Sequence, residues 1–338
     1  MGDRVDIASR IHLGGAAVVV IHRHVACQVL ALDGIDLSIS SNCIYGLLGP
    51  NGAGKTTMIS ILTTLLEPTA GEAEVLGLDV VKQASAVRRR IGVTFQEMVL
   101  DDELTGRQVM DYHGRLYRLG KAERDTKISE LLALVELEDA AERKATTYSG
   151  GMKRRLELAR ALMTDPEVLF LDEPTLGLDP QTRARVWDYL RALKEESGIT
   201  LLLTTHYMNE AEELADIVGI IDRGRLVAEG TPQDLIEHMG ADTIHVIGKG
   251  DRDGFVKRVK ALSFVQSVNI GRTVIQIGVD SGSKRLVEII SQATGSGFVV
   301  EDITVAKPSL GDVFLKHTGR RLRDTDSPQV QDRMSLMA

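Results

Sequence analysis

Ile44-Tyr45-Gly46-Leu47-Leu48-Gly49-Pro50-Asn51-Gly52-Ala53-Gly54-Lys55-Thr56-Thr57 is the stretch on which the fold turns. Ile44 to Leu48 reads as a buried strand, and Gly49 to Thr56 follows the pattern G-x-x-x-x-G-K-[ST]. After Lys55, Met58, Ile59, Ile61, Leu62 and Leu65 recur near a period of 3.6, so an amphipathic helix leaves the loop. Strand, glycine-rich turn and helix in that order make a phosphate cradle. The glycines let the backbone curl until successive N–H groups point at phosphate oxygens, and the helix N-terminus adds partial positive charge. Lys55 can reach the β- and γ-phosphates, and the Thr56 hydroxyl can hold Mg2+. A chain of this length meets the pattern by chance on the order of once in a hundred, before strand and helix are also required.

Outward from that centre, Ala16 to Ile21, Ile91 to Phe95, Val168 to Leu171, Thr200 to Thr204 and Ile217 to Ile221 are further short apolar runs. Such runs suit a parallel sheet covered on both faces, and helical patterns between them predict an α/β domain. Thr105 and Gln108 form a capping-box pattern, with Val109, Tyr112, Leu116 and Leu119 marking one helix face. Ile128, Leu131, Leu132 and Val135 mark another. The stretch from about Glu97 to Tyr148 is almost purely helical, which predicts a helical insertion.

Asp222-Arg223-Gly224 reads as a hairpin turn, and Thr231-Pro232 as the start of a helix. Beyond about Gly240 the pattern changes. Thr243 to Ile247 alternates like a strand, and Phe255, Val256, Val259 and Leu262 fit a short helix. Phe264 to Ile270 and Thr273 to Val279 read as strands around Gly271-Arg272, Leu286, Val287 and Ile290 as a helix, and Phe298 to Val305 as a final strand. That order, β-α-β-β-α-β, is ferredoxin-like. Pro308 and Ser309 start a last helix toward His317, and the polar tail from Gly319, with Arg320, Arg321 and Arg323, reads as a mobile, solvated end. The expected domains are 15–235, with a helical insertion at about 97–160, then 240–318 and a flexible tail, 319–338.

The 338 residues suggest two domains, and 43% hydrophobic with 26% charged residues exclude a disordered chain, a collagen-like repeat or a coiled coil. A net charge of −8 lacks the positive field of a duplex-DNA coat, so no nucleic-acid partner is expected. Cys27 and Cys43 match no zinc spacing and no disulfide framework, and read as reduced thiols that fill space. Leu13 to Ile21 is about half the roughly 20 apolar residues that a bilayer requires, so a membrane role would use a partner chain.

A second element with chemistry is Val168-Leu169-Phe170-Leu171-Asp172-Glu173. Its apolar residues build a buried strand, and two carboxylates sit where it emerges. Asp172 can ligate Mg2+ through water, and Glu173, pointing elsewhere, can accept a proton from an attacking water.

Tyr148-Ser149-Gly150-Gly151-Met152 resembles the ABC signature motif, which usually reads Leu-Ser-Gly-Gly-Gln. Gln96 resembles the Q-loop glutamine, Gly177-Leu178-Asp179 the D-loop, and His206 the switch histidine. Together with the cradle and the Asp172-Glu173 strand, these resemble the ATP-binding subunits of ABC transporters over about residues 15–235. The Tyr-Ser-Gly-Gly-Met wording and Pro308-Ser309-Leu310-Gly311-Asp312-Val313-Phe314 resemble more narrowly the daunorubicin/doxorubicin-resistance exporter ATPases. The resemblance implies a mixed-sheet core, an antiparallel β subdomain and a helical insertion, followed by the small α+β domain.

It also implies ATP and Mg2+ as cofactors, and a homodimer closed head to tail around two ATP molecules. Gly49, Pro50, Asn51, Gly52, Ala53, Gly54, Lys55, Thr56 and Thr57 would bind ATP. Thr56, Gln96 and Asp172 would hold Mg2+, and Glu173, His206 and Gln96 would serve hydrolysis. Ser149, Gly150, Gly151 and Met152, before a helix from Lys153 to Ala161, would act on the partner's ATP, and Asp179 would organise the seam. The subunit would sit peripherally on the cytoplasmic face of the cell membrane and power a separate permease that exports drugs or other hydrophobic compounds. The alternative is a soluble ABC ATPase acting on nucleic acid or in translation. Repair types carry a coiled coil in the insertion and translation types usually two ATPase units, whereas this chain has about fifty residues between Gln96 and Ser149 and one phosphate loop.

One position departs from the family. The adenine-stacking aromatic would fall near Val25 or Ala26, yet Phe, Trp and Tyr are absent from Met1 to Cys43, which leaves His22 or His24 as substitutes.

Overall fold

The computed structural model describes residues 16–26, 29–96, 100–237 and 242–318, with side chains from residue 30 onward. The chain divides after Glu229 into two compact units.

The first unit opens with β1 (Ala16–Ala26) and β2 (Val29–Ser40), paired antiparallel. β3 (Ile44–Leu48) enters a second sheet and α1 (Lys55–Leu62) leaves it. β4 (Glu74–Val75) and β5 (Leu78–Asp79) return to the first sheet, giving the order β2-β1-β4-β5. Next come α2 (Ala84–Arg88) and β6 (Ile91–Thr94), then the helical insertion with α3 (Gly106–Leu116), α4 (Lys121–Leu134) and α5 (Gly150–Leu162). β7 (Val168–Asp172), α6 (Pro180–Ser197), β8 (Thr200–Thr205), α7 (Met208–Leu214), β9 (Ile217–Asp222) and β10 (Arg225–Gly230) complete it. The second sheet has the order β10-β9-β3-β8-β7-β6. β9, β3, β8, β7 and β6 run parallel, and β10 joins through the turn at Arg223 (φ 49°) and Gly224 (φ 76°).

Both faces of the parallel strands are buried, which is why they read as unbroken apolar runs. Tyr45, Leu47, Phe170 and Leu202 pack toward α1 and the antiparallel sheet. Ile44, Leu169, Leu171, Leu201 and Leu203 pack toward Leu158 and Leu162 of α5 and Val186 and Leu190 of α6.

Three local expectations change. Ala16 to Ile21 belongs to the antiparallel sheet, because the short link to β2 permits only a hairpin partner. β2 itself escaped a search for continuous apolar runs: its buried Ile35, Leu37 and Ile39 alternate with exposed Asp36, Ser38 and Ser40. Leu65 lies beyond α1 and is exposed, since the helix stops at Thr63 and Thr64 turns left-handed (φ 65°).

On α3 the capping box is formed as expected, Thr105 and Gln108 satisfying each other's backbone N–H. The buried stripe, however, runs through Gly106, Val109, Met110 and Gly114. Tyr112 and Leu116 are 53% and 79% exposed. Gly114 decides this: a Cβ there would stand 2.6 Å from Arg124 Cδ, so the glycine face meets α4 and the large apolar residues turn outward.

The second unit contains α8 (Pro232–Glu237), β11 (Asp242–Gly250), α9 (Arg252–Lys260), β12 (Val265–Ile270), β13 (Val274–Val279), α10 (Gly282–Thr294), β14 (Phe298–Ala306) and α11 (Leu310–Thr318). Its antiparallel sheet has the order β12-β13-β11-β14, the ferredoxin-like arrangement. Ile244, Val246, Ile275 and Ile277 bury against α9 and α10, with Phe255 and Phe298 stacked at 4.7 Å. On α10 the buried residues are Gly282, Ile289 and Ala293, whereas Val287 faces solvent. No helix among the described residues is long and apolar enough to cross a membrane.

Candidate functional site

The C-terminal ends of three neighbouring strands, β3, β8 and β7, converge on one place, where open α/β sheets hold ligands. Leu48 pairs with Thr205, and Thr204 with Asp172, so β8 lies between the loop that follows Leu48 and the carboxylates that end β7. The loop is held to β8 by Gly49 N–H on Thr205 O at 3.3 Å. Gly52 and Gly54 adopt φ of 80° and 110°, and a Cβ on Gly54 would stand 2.6 Å from Ala31 O. Only glycine meets both demands.

Lys55 Nζ is buried and donates to Gly49 O at 2.7 Å and Pro50 O at 3.3 Å. It also lies 3.6 Å from Glu173 Oε1. Thr56 Oγ1 donates to Asp172 Oδ2 at 3.0 Å, and Thr204 Oγ1 donates to Asp172 Oδ1 at 2.5 Å. His206, at the end of β8, places Nδ1 3.2 Å from Glu173 Oε1, without the alignment of a hydrogen bond. The fold thus gathers Lys55, Thr56, Asp172, Glu173 and His206 into one contact group.

Glu173 carries backbone strain. Its φ is 50°, a left-handed conformation that costs a non-glycine residue about 1–3 kcal/mol. The neighbourhood over-determines it: its N–H meets Thr204 O at 3.2 Å and Thr204 Oγ1 at 3.0 Å. Its carbonyl accepts from Arg154 Nη2 at 3.0 Å and Leu176 N–H at 3.2 Å. Burial works to raise the Glu173 carboxyl, but His206 and then Lys55 outweigh it and hold the group below its usual range. Burial draws Lys55 down from its ordinary value, and the Glu173 and Asp172 carboxylates offset only part of that.

The donor set suits magnesium. A hydroxyl and a carboxylate oxygen, Thr56 Oγ1 and Asp172 Oδ2, are hard ligands, and Mg2+ takes few protein ligands with water and phosphate oxygens completing its shell. The described residues contain no cluster of three or more His, Cys, Asp or Glu that would make an all-protein cage.

The remaining expected residues lie outside this contact group. Asn51 is exposed, Thr57 is half-buried, and the Pro50 carbonyl also accepts from Ala53 N–H at 3.1 Å. Gln96 is exposed just past β6, and among the described residues no hydrogen bond joins it to Thr56 or Asp172. The signature stretch corrects one boundary: α5 begins at Gly150, not Lys153, with Ser149 as its N-cap accepting from Met152 N–H at 3.2 Å. Gly150 and Gly151 therefore belong to the first helical turn, where backbone N–H groups lack intrahelical partners. Gly151 packs where a Cβ would meet Thr182 Cγ2 at 2.8 Å. Thr182 in turn donates N–H and Oγ1 to Asp179, the N-cap of α6, at 3.0 and 2.6 Å. Those two bonds hold the exposed Asp179 carboxyl below its ordinary value. His22 and His24 lie on β1, and their side chains fall outside the described residues, as do Cys27 and the tail 319–338.

The ABC transporter family pattern matches residues 32–176. A daunorubicin resistance ATP-binding protein of Streptomyces coeruleorubidus, DrrA3, is 44% identical over 87% of this chain and 93% of its own length. The chain belongs to the ATP-binding proteins of ABC transporters. The daunorubicin/doxorubicin resistance ATP-binding protein DrrA of Streptomyces peucetius is 39% identical over 89% of this chain and 92% of its own. Among solved structures, the dimeric cassette MJ0796 in a post-hydrolysis state with ADP and Pi matches with a TM-score of 0.56 at 30% identity, covering 60% of this chain and 91% of that one. ATP is the nucleotide this family binds.

Three residues of this ABC subunit escaped the motif search. Thr204 bonds both carboxylate residues, and its only sequence signal is a hydroxyl inside a wholly buried strand. Glu210, buried on α7, accepts from Thr175 Oγ1 at 2.7 Å and Trp187 Nε1 at 3.0 Å, linking α7 and α6 to the segment after Glu173. Arg154, the middle residue of Lys153-Arg154-Arg155, shares the buried side of α5 with Leu158 and Ala161. A basic residue in register with an apolar stripe was the available signal.

Proposed function

We propose that this ABC subunit hydrolyses ATP with Mg2+ and drives a separate permease that exports drugs or other hydrophobic compounds. Gly49 to Thr57 form the cradle, with Lys55 as its cation, already steered by the Gly49 and Pro50 carbonyls. Thr56 and Asp172, with Gln96, would hold Mg2+, which would supply charge neutralisation on the phosphate oxygens. Glu173 accepts the proton of the attacking water, its carboxylate standing beside Lys55 and His206. His206, beside Glu173 Oε1, orients it and senses the γ-phosphate.

Ser149, Gly150, Gly151 and Met152, at the N-terminus of α5, offer donors to the ATP of a second copy, and Asp179 organises the seam between the copies. A phosphate gripped from both chains joins the dimer, and hydrolysis releases it. The permease reading is supported by the names of the relatives and by Tyr112 and Leu116, large apolar residues facing outward on α3. It places the subunit peripherally on the cytoplasmic face of the membrane.

The observation that carries hydrolysis is the meeting of Lys55, Glu173 and His206 beside the Thr56–Asp172 pair. Glu173→Gln should keep ATP affinity within about two-fold, lower turnover by about 100-fold or more, and accumulate an ATP-bound dimer on size exclusion. Near-normal turnover in that variant removes Glu173 from the role.

A further inference from the structure

Arg154 is 3% exposed, and each of its five N–H donors has an acceptor. Nε donates to Pro174 O at 2.8 Å. Nη2 donates to Asp172 O at 2.9 Å and Glu173 O at 3.0 Å. Nη1 donates to Phe95 O at 2.8 Å and Glu157 Oε2 at 3.0 Å. One guanidinium on α5 thus clasps three consecutive carbonyls across the strained Glu173 and the residue before Gln96. Glu157, itself 1% exposed, supplies its counter-charge.

We propose that Arg154 is a positioning residue for hydrolysis: it holds the Glu173 backbone in its left-handed turn and fixes it relative to Gln96 and to the helix that begins at Ser149. This rests on the reading of Glu173 as the water-polarising base. The alternative for so buried a cation is a structural staple without bearing on turnover. Geometry argues against that, because four of its five bonds converge on backbone that carries Glu173 and Gln96, and the fifth goes to the counter-charge Glu157 one turn along the same helix. The left-handed turn needs such a clamp. Released from it, an ordinary residue relaxes toward negative φ, and the carboxylate then swings from the cluster with Lys55 and His206. Lysine cannot substitute, having three donors on a flexible stem in place of five in a planar fork.

The test uses the full-length chain with Arg154→Lys and Arg154→Gln, each also combined with Glu173→Gln. Expected is a loss of about 10- to 100-fold in kcat, with ATP affinity within about two-fold of the parent, as for a misplaced catalytic group. In the Glu173→Gln background the same changes should lower the residual rate less than about two-fold, because the group Arg154 positions is already disabled. A folded Arg154 variant with wild-type kcat overturns the proposal, as does a parallel loss of ATP affinity or a full multiplicative loss in the double variant. If neither variant yields folded protein by circular dichroism, Arg154 is a folding residue and the proposal also fails. Near-normal turnover in Glu173→Gln alone overturns the assignment of the base instead, so the two failures are distinguishable.

Discussion

Thr204 and Asp172 sit side by side on adjacent strands, and the threonine hydroxyl donates to Asp172 Oδ1 while accepting the N–H of Glu173. One buried hydroxyl therefore orients the Asp172 carboxylate and pins the strained residue after it.

Thr204→Val keeps the branched shape that suits a strand but removes both bonds. Leaving the buried Asp172 Oδ1 without that donor should cost about 1–3 kcal/mol of stability, while the Glu173 N–H keeps the Thr204 carbonyl at 3.2 Å. The Mg2+ concentration for half-maximal ATPase activity should rise as Asp172 loses its fixed orientation. Chemical denaturation and a Mg2+ titration of the rate check both, and an unchanged Mg2+ requirement would free Asp172 from dependence on Thr204.

His113, on α3, gives the fold an acid sensitivity. Burial, with the Arg160 charge adding to it, pushes the imidazole down from 6.5 to about 4. Between those values the unfolded chain binds a proton that the folded chain refuses, so stability is complete above about pH 6.5 and is lost as pH falls toward 4. The loss is at most about 3 kcal/mol. His113→Gln should flatten this part of the stability profile, measured by denaturation midpoints at pH 7 and pH 4.5.

Leu116 is exposed on α3 and is no member of the contact group of Lys55, Thr56, Asp172, Glu173 and His206. Leu116→Asp should leave thermal stability and the basal ATPase rate of the isolated chain unchanged, surface substitutions being worth within about 0.5 kcal/mol. It should abolish co-purification with the permease. Retained association would move the docking surface away from α3.

Where chemistry is carried by contiguous residues, the sequence was legible. Gly49 to Thr56 needs glycines, a lysine and a hydroxyl at set spacing, and Asp172-Glu173 must end a buried strand. Both requirements are local and leave a pattern. Helix faces were less legible: hydropathy put Tyr112 and Leu116 inward, but contact with α4 depends on how closely the backbones approach, and Gly114 gave that approach to the opposite side. The start of α5 was misjudged for a related reason. Two glycines disfavour a helix by propensity, yet the Ser149 cap compensates in the first turn.

By itself, the order of residues determined a parallel sheet bearing a glycine-rich loop, a ferredoxin-like second unit, and which segments are expected to carry chemistry. Each follows from short-range periodicity and backbone stereochemistry. Only the tertiary structure decided that Thr204 would serve both carboxylate residues, that Arg154 would clasp the turn at Glu173, and that His206 would stand 3.2 Å from Glu173 Oε1. Those pairings join strands and helices distant along the chain. They are set by strand order and register, which depend on the packing of the whole core and not on any local signal.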